Sequence, residues 1–164
     1  MVIDVFTRRI VGFGIDGEYI DAPAVCRMSN QAIAGHAPPS RVSTDNDPLF
    51  RFRRWLTNLR VIDIEEIKPV PSAPMSHPFI ERLIGTIRRE YLDHTFFWNS
   101  IDLHRKLENL RAYHNGARVH RFLNGTTPEN RAGNSSPAKA NLTHHAWERH
   151  CIGYSKLLSP PALD

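Results

Sequence analysis

A proline-rich segment divides this chain into two parts with different patterns. Four prolines fall within the eleven residues from Lys68 to Pro78, so the segment is neither regular helix nor regular strand. Before it, short apolar runs that are typical of strands alternate with segments of helical periodicity, and after it amphipathic helices follow. This pattern predicts an α/β domain. Because a strong helix follows directly, we interpret the segment as a functional loop over a site and not as a linker.

The periodicity assigns individual elements on both sides of this loop. Strands are predicted at residues 2–6, 9–15, 41–44 and 61–67. The first two are expected to pair antiparallel around Thr7 and Arg8. Helices are predicted at residues 22–34, from Pro48 onward, at 76–91, at 99–114 and as a short turn at 127–129. The residues expected to be buried by the helix from Pro48 are Leu49, Phe52, Leu56 and Leu59. In the helix predicted at 76–91, the residues expected to be buried are Ile80, Leu83, Ile84 and Ile87. In the helix predicted at 99–114, they are Leu103, Leu107, Leu110 and Tyr113.

Composition narrows the class of protein. The 164 residues suit one domain, and 41% hydrophobic with 23% charged residues excludes a disordered chain. No apolar run approaches the roughly 20 residues that a membrane-spanning helix needs, so we expect a soluble, cytoplasmic protein that binds no membrane. The only cysteines, Cys26 and Cys151, cannot form a disulfide framework, and we interpret them as small buried hydrophobic residues.

The net positive charge of the chain comes from its second half. Acidic and basic residues balance up to Ile80, so the whole net charge of +4 comes from Glu81 onward. Of 21 basic residues, 17 are arginine, whose planar guanidinium matches phosphate oxygens. The arginines that lie near aromatic residues in this half are Arg88, Arg89, Arg105, Arg111, Arg118 and Arg121. This pattern suits binding to a nucleic-acid backbone, although a solvated basic surface would have the same composition.

Two carboxylates and an arginine form the candidate site. Asp45 follows a predicted strand, and Glu81 lies in the first turn of the helix behind the proline loop. Arg88, seven positions after Glu81, returns to the same helix face, with Gly85 between them. This arrangement suits a metal ion held by the acid and a phosphate held by the arginine. Taken singly, an Asp before a helix is often a cap, and a Glu in the first turn often serves the helix dipole.

Four blocks, in order and spacing, resemble a known family. They are residues 2–12 (VIDVFTRRIVG), 43–47 (STDND), 77–92 (HPFIERLIGTIRREYL) and 113–129 (YHNGARVHRFLNGTTPE). They resemble the catalytic core of the DDE transposases and retroviral-type integrases, above all those of bacterial insertion sequences. The resemblance implies a ribonuclease-H-like fold, a five-stranded mixed sheet flanked by helices. It implies a catalytic core over residues 1–131 and a C-terminal extension over 132–164.

The resemblance also implies roles for single residues. Asp45 matches the second acid of the family and Glu81 the third, and both are expected to be catalytic and to bind metal. Arg88 stands where the family has a Lys or Arg that contacts DNA, and Arg89 and Arg118 are further DNA-binding candidates. Asp47 departs from the pattern, since the family has a glycine two places after the second acid.

The first acid of the family has no clear counterpart here. It lies on a strand before the block that begins at residue 2. We therefore expect this chain to lack that acid and its central strand, either because its start codon is assigned too late or because the copy is truncated at its N-terminus. Asp4 is a doubtful substitute. It precedes Asp45 by a spacing that a loose motif would accept, but the alignment of blocks places it on the second strand of the family.

The family mechanism sets the remaining expectations. Two Mg²⁺ ions, or Mn²⁺ in their place, would support nicking of an element end and its transfer to target DNA. The implied partners are DNA, further copies of the chain and a companion helix-turn-helix protein. We expect this copy to be weakly active or inactive. The alternatives are a non-catalytic DNA-binding or oligomerising remnant, and a nuclease acting on RNA–DNA hybrids, against which the block 113–129 argues.

Four metal-capable side chains near the C-terminus do not suit a zinc site. His144, His145, His150 and Cys151 lie within eight residues, whereas zinc modules separate their ligand pairs more widely. We expect Trp147, His150 and Cys151 to pack a C-terminal segment.

Overall fold

The computed structural model describes residues 1–17, 19–45, 47–68 and 78–133, together with the backbone of two strands at 146–150 and 155–159. The chain divides into two compact units. The first comprises Met1–Val2 and Val11–Ser100, and the second comprises Ile3–Ile10 and Ile101–Asp164. The proline-rich loop at 69–77, the side chains of the cluster at 144–151 and Cys151 lie outside the described residues.

Short strands alternate with helices along the chain. The strands are β1 (Val2–Ile3), β2 (Ile10–Gly12), β3 (Arg41–Ser43), β4 (Glu65–Ile67), β5 (Ala146–His150) and β6 (Ser155–Ser159). The helices are α1 (Ala22–Ile33), α2 (Arg53–Val61), α3 (Pro78–Glu90), α4 (Ser100–Gly116) and α5 (Pro128–Arg131), with 3₁₀ turns at Pro48–Arg51, Leu92–His94 and Arg121–Leu123. None of the helices in the described part of the chain is long and apolar enough to cross a bilayer.

The described strands form three two-stranded sheets, where the resemblance implied a single sheet of five. β1 pairs with β2, β3 runs parallel to β4, and β5 runs antiparallel to β6. In the β3–β4 pair, Arg41, Val42 and Ser43 face Glu65, Glu66 and Ile67. This parallel pair places the residues that follow β3 and those that follow β4 at the same edge.

The core of the first unit lies between α1, α2 and the β3–β4 pair. Its fully buried members are Val25, Trp55, Leu59 and Ile64, and the half-buried side chains of Cys26 and Val42 pack against them. The cysteine therefore takes part in core packing, as predicted. Asp21 caps α1, because its Oδ1 accepts a hydrogen bond of 2.8 Å from the Ala24 N–H.

Glycine allows β2 to lie directly against α1. A Cβ atom on Gly12 would stand 2.1 Å from the carbonyl oxygen of Ala32, and one on Gly14 would stand 2.1 Å from that of Met28. These are backbone atoms, which cannot swing aside as a long side chain can. Any larger residue would therefore separate this segment from the helix.

The predicted helix from Pro48 is interrupted. Pro48–Arg51 is a 3₁₀ turn, Phe52 is extended with φ −68° and ψ 144°, and α2 begins at Arg53. The expected burial of Phe52 is wrong, since it is 50% exposed. Trp55 fills the core instead and meets the ring of Phe50 edge-on at a centroid distance of 5.1 Å. The strand predicted at residues 61–67 begins only at Glu65, as β4, because α2 continues through Val61.

The two long helices bury four of the eight side chains that periodicity predicts to be buried. Leu83 and Ile87 of α3 are buried, but Ile84 is 51% exposed. Leu107 and Leu110 of α4 are buried as expected. The helix was expected to stop at residue 114, yet it extends to Gly116.

Two residues of α4 lie beyond its predicted end, and the side chain of the first, Asn115, is hydrogen-bonded to the backbone of Ile10. The Asn115 Nδ2 donates to the Ile10 carbonyl oxygen and its Oδ1 accepts from the Ile10 N–H, both at 2.9 Å. The amide thus satisfies both backbone groups of Ile10, as a neighbouring strand would. Farther along the chain, Thr127 caps α5 through its Oγ1, which accepts from the Asn130 N–H at 3.3 Å, as the sequence predicts.

Candidate active site

Asp45 lies just beyond β3, at the edge where the parallel pair β3–β4 ends. Its side chain is exposed, and its Oδ1 accepts a hydrogen bond of 3.1 Å from the Asp47 N–H. In the described part of the chain, Oδ2 accepts no hydrogen bond. The carboxylate is thus anchored to the turn through Oδ1 on an exposed residue, which is an arrangement that a cation can use.

Asp47 has a local structural role. Its Oδ1 accepts a hydrogen bond of 2.8 Å from the Leu49 N–H and so caps the 3₁₀ turn that begins at Pro48. The side chain that departs from the family pattern at this position therefore starts the next element of the chain.

A carboxylate that the sequence did not single out lies beside this turn. Glu66 of β4 has a side chain that is only 8% exposed. Its Oε1 accepts hydrogen bonds from the Thr44 Oγ1 at 2.7 Å and from the Trp55 Nε1 at 3.0 Å. The Lys68 Nζ stands 3.7 Å from its Oε2. The sequence signal that could have identified Glu66 is its position two places after Ile64 in a predicted strand. This spacing places a charged residue on the same, inward face as Ile64.

The polar face of α3 carries the second candidate acid. Glu81 lies exposed in the first turn, as predicted. One turn later, the guanidinium of Arg89 covers Gly85, with Nη1 3.2 Å from where a Cβ would stand. The guanidinium closest to Gly85 is therefore that of Arg89, whereas the sequence pointed to Arg88. Arg88 is exposed and turns towards the end of the helix, where its Nε lies 3.9 Å from Asp93 Oδ1.

Asp4 closes the connection between β1 and β2. Its Oδ1 accepts from the N–H groups of Phe6 at 2.8 Å and Thr7 at 3.4 Å, and its Oδ2 accepts from the Thr7 Oγ1 at 2.6 Å. Burial raises the pKa of Asp4, but these hydrogen bonds and the charge of Arg9 outweigh it and place the pKa below its ordinary value. Both oxygens serve the turn, in contrast to Asp45.

Arg118 belongs to the second unit and follows α4 beside two histidines. His114 is almost fully buried and donates through Nε2 to the Arg8 carbonyl oxygen at 3.1 Å. Burial lowers the pKa of His114 to about 4, with the charges of His120 and Arg118 adding to the effect. Burial and the charge of Arg118 also lower the pKa of His120. The ring centroids of His114 and His120 lie 4.7 Å apart. Arg118 is therefore in a half-buried polar cluster, while Arg88 and Arg89 are exposed.

The donor chemistry of the candidate acids suits a hard cation. Asp45 and Glu81 both lie in the first unit, and both offer exposed carboxylate oxygens, the ligands that Mg²⁺ prefers. Among the described residues, no three or more His, Cys, Asp or Glu side chains are grouped to hold a metal. Asp45 and Glu81 are thus two separate candidate ligands of the first unit.

Sequence comparison finds a similarity over part of the chain. Residues 62–128 match the family model of the integrase core domain. Glu81, Arg88, Arg89 and Arg118 lie inside the matched segment, and Asp4 and Asp45 precede it.

A relative from a bacterial insertion element matches over a longer range. The chain is 30% identical over 140 residues to the uncharacterized 39.2 kDa protein of insertion element IS476 from Xanthomonas euvesicatoria. The match covers 85% of this chain but only 40% of that relative. The predicted kinship with insertion-sequence transposases and integrases is thereby confirmed.

Solved structures show the same fold. A chain in the cryo-EM structure of the simian T-cell lymphotropic virus intasome in complex with PP2A regulatory subunit B56 gamma superposes with a TM-score of 0.57. It is 17% identical, and the match covers 87% of this chain and 54% of that one. The crystal structure of the BIV integrase catalytic core domain gives a TM-score of 0.50 at 19% identity, covering 67% and 69% of the two chains. The predicted α/β fold class of the integrase cores, ribonuclease-H-like, is confirmed.

Proposed function

We propose that this chain acts in DNA integration or transposition as a metal-dependent polynucleotidyl transferase core, with Asp45 and Glu81 as metal ligands. The observation that carries the proposal is the turn at Asp45. An exposed carboxylate lies two residues after a strand of an integrase-type fold and is anchored to its turn through one oxygen. Glu81 supports it, because it lies exposed in the first turn of α3, inside the segment that matches the integrase core.

The two acids would hold Mg²⁺, and Mn²⁺ would take the same oxygen ligands. When bound, the ion polarises a phosphoryl oxygen and makes a bound water or hydroxyl a better nucleophile. The protein supplies the position of the ligands. The hydrogen bond of 3.1 Å from the Asp47 N–H holds the Asp45 carboxylate, and the first turn of α3 fixes the origin of the Glu81 side chain.

The arginines of α3 would bind the DNA backbone. Arg88 and Arg89 are exposed in the last turn of the helix, and the ion pair of Arg88 with Asp93 is long and exposed. Such a pair is weak, so a phosphate can replace Asp93 as the partner of Arg88. Arg118 is the third candidate, at the end of α4. The function would require element ends and target DNA, and further copies of the chain in one assembly.

Titration with Mn²⁺ tests the assignment of ligands. We expect Asp45→Asn and Glu81→Gln to weaken Mn²⁺ binding to the full chain by at least about tenfold, measured by electron paramagnetic resonance of the free ion. Asp63→Asn and Glu90→Gln are matched controls, because each removes an exposed carboxylate of the same unit, outside the proposed site. We expect both controls to bind Mn²⁺ as the parent chain does.

Unchanged Mn²⁺ binding in both Asp45→Asn and Glu81→Gln would overturn the proposal. The chain would then fit the alternative of a non-catalytic DNA-binding or oligomerising protein, since its basic second half needs no metal to bind phosphate.

A further inference from the structure

The carboxylate of Glu66 connects three parts of the first unit. Thr44 comes from the end of β3, Trp55 from α2, and Glu66 itself from β4. Both the Thr44 hydroxyl, at 2.7 Å, and the Trp55 indole, at 3.0 Å, donate to the same Oε1. The Lys68 Nζ lies 3.7 Å from the other oxygen, Oε2, so both oxygens of this buried carboxylate have a polar partner.

Packing alone does not require a charge here. Trp55 is among the most deeply buried residues of the core, and Thr44 is also buried. An apolar side chain at position 66, with an apolar partner at position 44, would fill the same space without burying a charge. The distinctive effect of the carboxylate is directional, because it fixes where the Thr44 side chain points.

Thr44 is the residue that directly precedes Asp45. Its side chain is held by Glu66 on one side of the turn, and the Asp45 carboxylate is held by the Asp47 N–H on the other. The side chains of Thr44 and Asp45 are therefore both held by hydrogen bonds. Groups that orient a metal ligand commonly change metal affinity by about 10- to 100-fold when they are lost.

We propose that Glu66 is a positioning residue for the metal site, which acts through Thr44 to fix the main chain of Asp45. This inference rests on the proposed role of Asp45 as a metal ligand. Glu66 does not touch the metal or the DNA in this scheme. By ordering the turn before the ion binds, Glu66 lowers the conformational entropy cost of binding.

Mn²⁺ affinity of the full chain tests the proposal, measured well below the unfolding temperature of each variant. We expect Thr44→Val, which keeps the shape but removes the hydroxyl, to weaken Mn²⁺ binding about tenfold. Glu66→Leu should weaken it by a similar factor. Thr44→Ser and Glu66→Gln should bind Mn²⁺ as the parent chain does, because each retains the hydroxyl donor or the oxygen acceptor.

Trp55→Phe separates positioning from general stability. It removes the indole donor from Glu66 but leaves the bond to Thr44 in place, so we expect a lower unfolding temperature and unchanged Mn²⁺ affinity. Parent-like Mn²⁺ binding by Thr44→Val, together with loss of binding by Asp45→Asn, would overturn the role of Glu66 and leave the proposed function standing. Parent-like binding by both Asp45→Asn and Glu81→Gln would instead overturn the proposed function, and this inference with it.

Discussion

The aspartate turns at Asp4 and Asp45 use the same side chain in opposite ways. In the second unit, both oxygens of Asp4 accept hydrogen bonds from the connection between β1 and β2. In the first unit, Asp45 binds its turn through Oδ1 only and is exposed. A carboxylate whose oxygens are all engaged in a turn has a structural role, whereas one with an accessible oxygen can bind a ligand.

The surroundings of the two turns extend this difference. Two neutral side chains of α4 hold the segment that contains Asp4. Asn115 forms hydrogen bonds with the backbone of Ile10, and His114 forms one with the carbonyl oxygen of Arg8. The turn at Asp45 is bordered by a buried charge, Glu66. The second unit thus uses its buried polar groups to hold one segment of backbone, and the first unit places a charged group next to the candidate metal ligand.

The largest expected effect is the loss of the Asn115 amide. Asn115→Ala leaves both the N–H and the carbonyl oxygen of Ile10 buried without their partner, which should destabilise the chain by about 4 kcal/mol. Urea unfolding measures this change. Asn109→Ala, on the exposed side of the same helix, is the matched control and should change stability little. Equal effects of the two substitutions would show that the amide does not hold the segment.

Acid should destabilise the second unit through His114. Its folded-state pKa of about 4 lies below the ordinary 6.5, so the unfolded chain takes up a proton first as the pH falls. Stability is therefore complete above pH 6.5 and decreases towards pH 4, by about 3 kcal/mol in total. His114→Gln keeps a donor for the Arg8 carbonyl but does not titrate.

Urea unfolding of the parent chain and of His114→Gln across this range isolates the contribution of one histidine, because other titrating groups contribute to both. We expect the parent chain to lose stability more steeply than the variant. Parallel curves would mean that His114 is not held neutral in the folded state.

Local signals made much of this fold predictable. Periodicity and turn signals placed α1, α4 and α5 within a few residues. The structure shows why, because α1 and α5 are each capped by a neighbour in sequence, Asp21 and Thr127. The placement of Asp45 after a strand and of Glu81 in the first turn of a helix was predictable in the same way. These positions follow from local chain geometry and need no knowledge of distant contacts.

Long-range bonds account for the differences. The extension of α4 past residue 114 depends on Ile10, which lies 105 residues from Asn115. The break at Phe52 reflects the competition between Phe52 and Trp55 for one core, and periodicity in a short window cannot decide it. Glu66 was missed for a related reason, since its partners Thr44 and Trp55 become neighbours only in the folded chain.

The smallest expected effect separates the two aspartates most sharply. Asp4→Asn weakens the hydrogen bonds that the Asp4 carboxylate accepts and leaves its Oδ2 position with an amide nitrogen, which cannot accept the Thr7 hydroxyl. We expect a loss of about 1 to 2 kcal/mol in urea unfolding and unchanged Mn²⁺ affinity. Asp45→Asn should show the reverse, with a smaller loss of stability and weaker Mn²⁺ binding, because its turn uses only Oδ1. Loss of Mn²⁺ binding in a folded Asp4→Asn variant would contradict this distinction and make Asp4 a metal ligand.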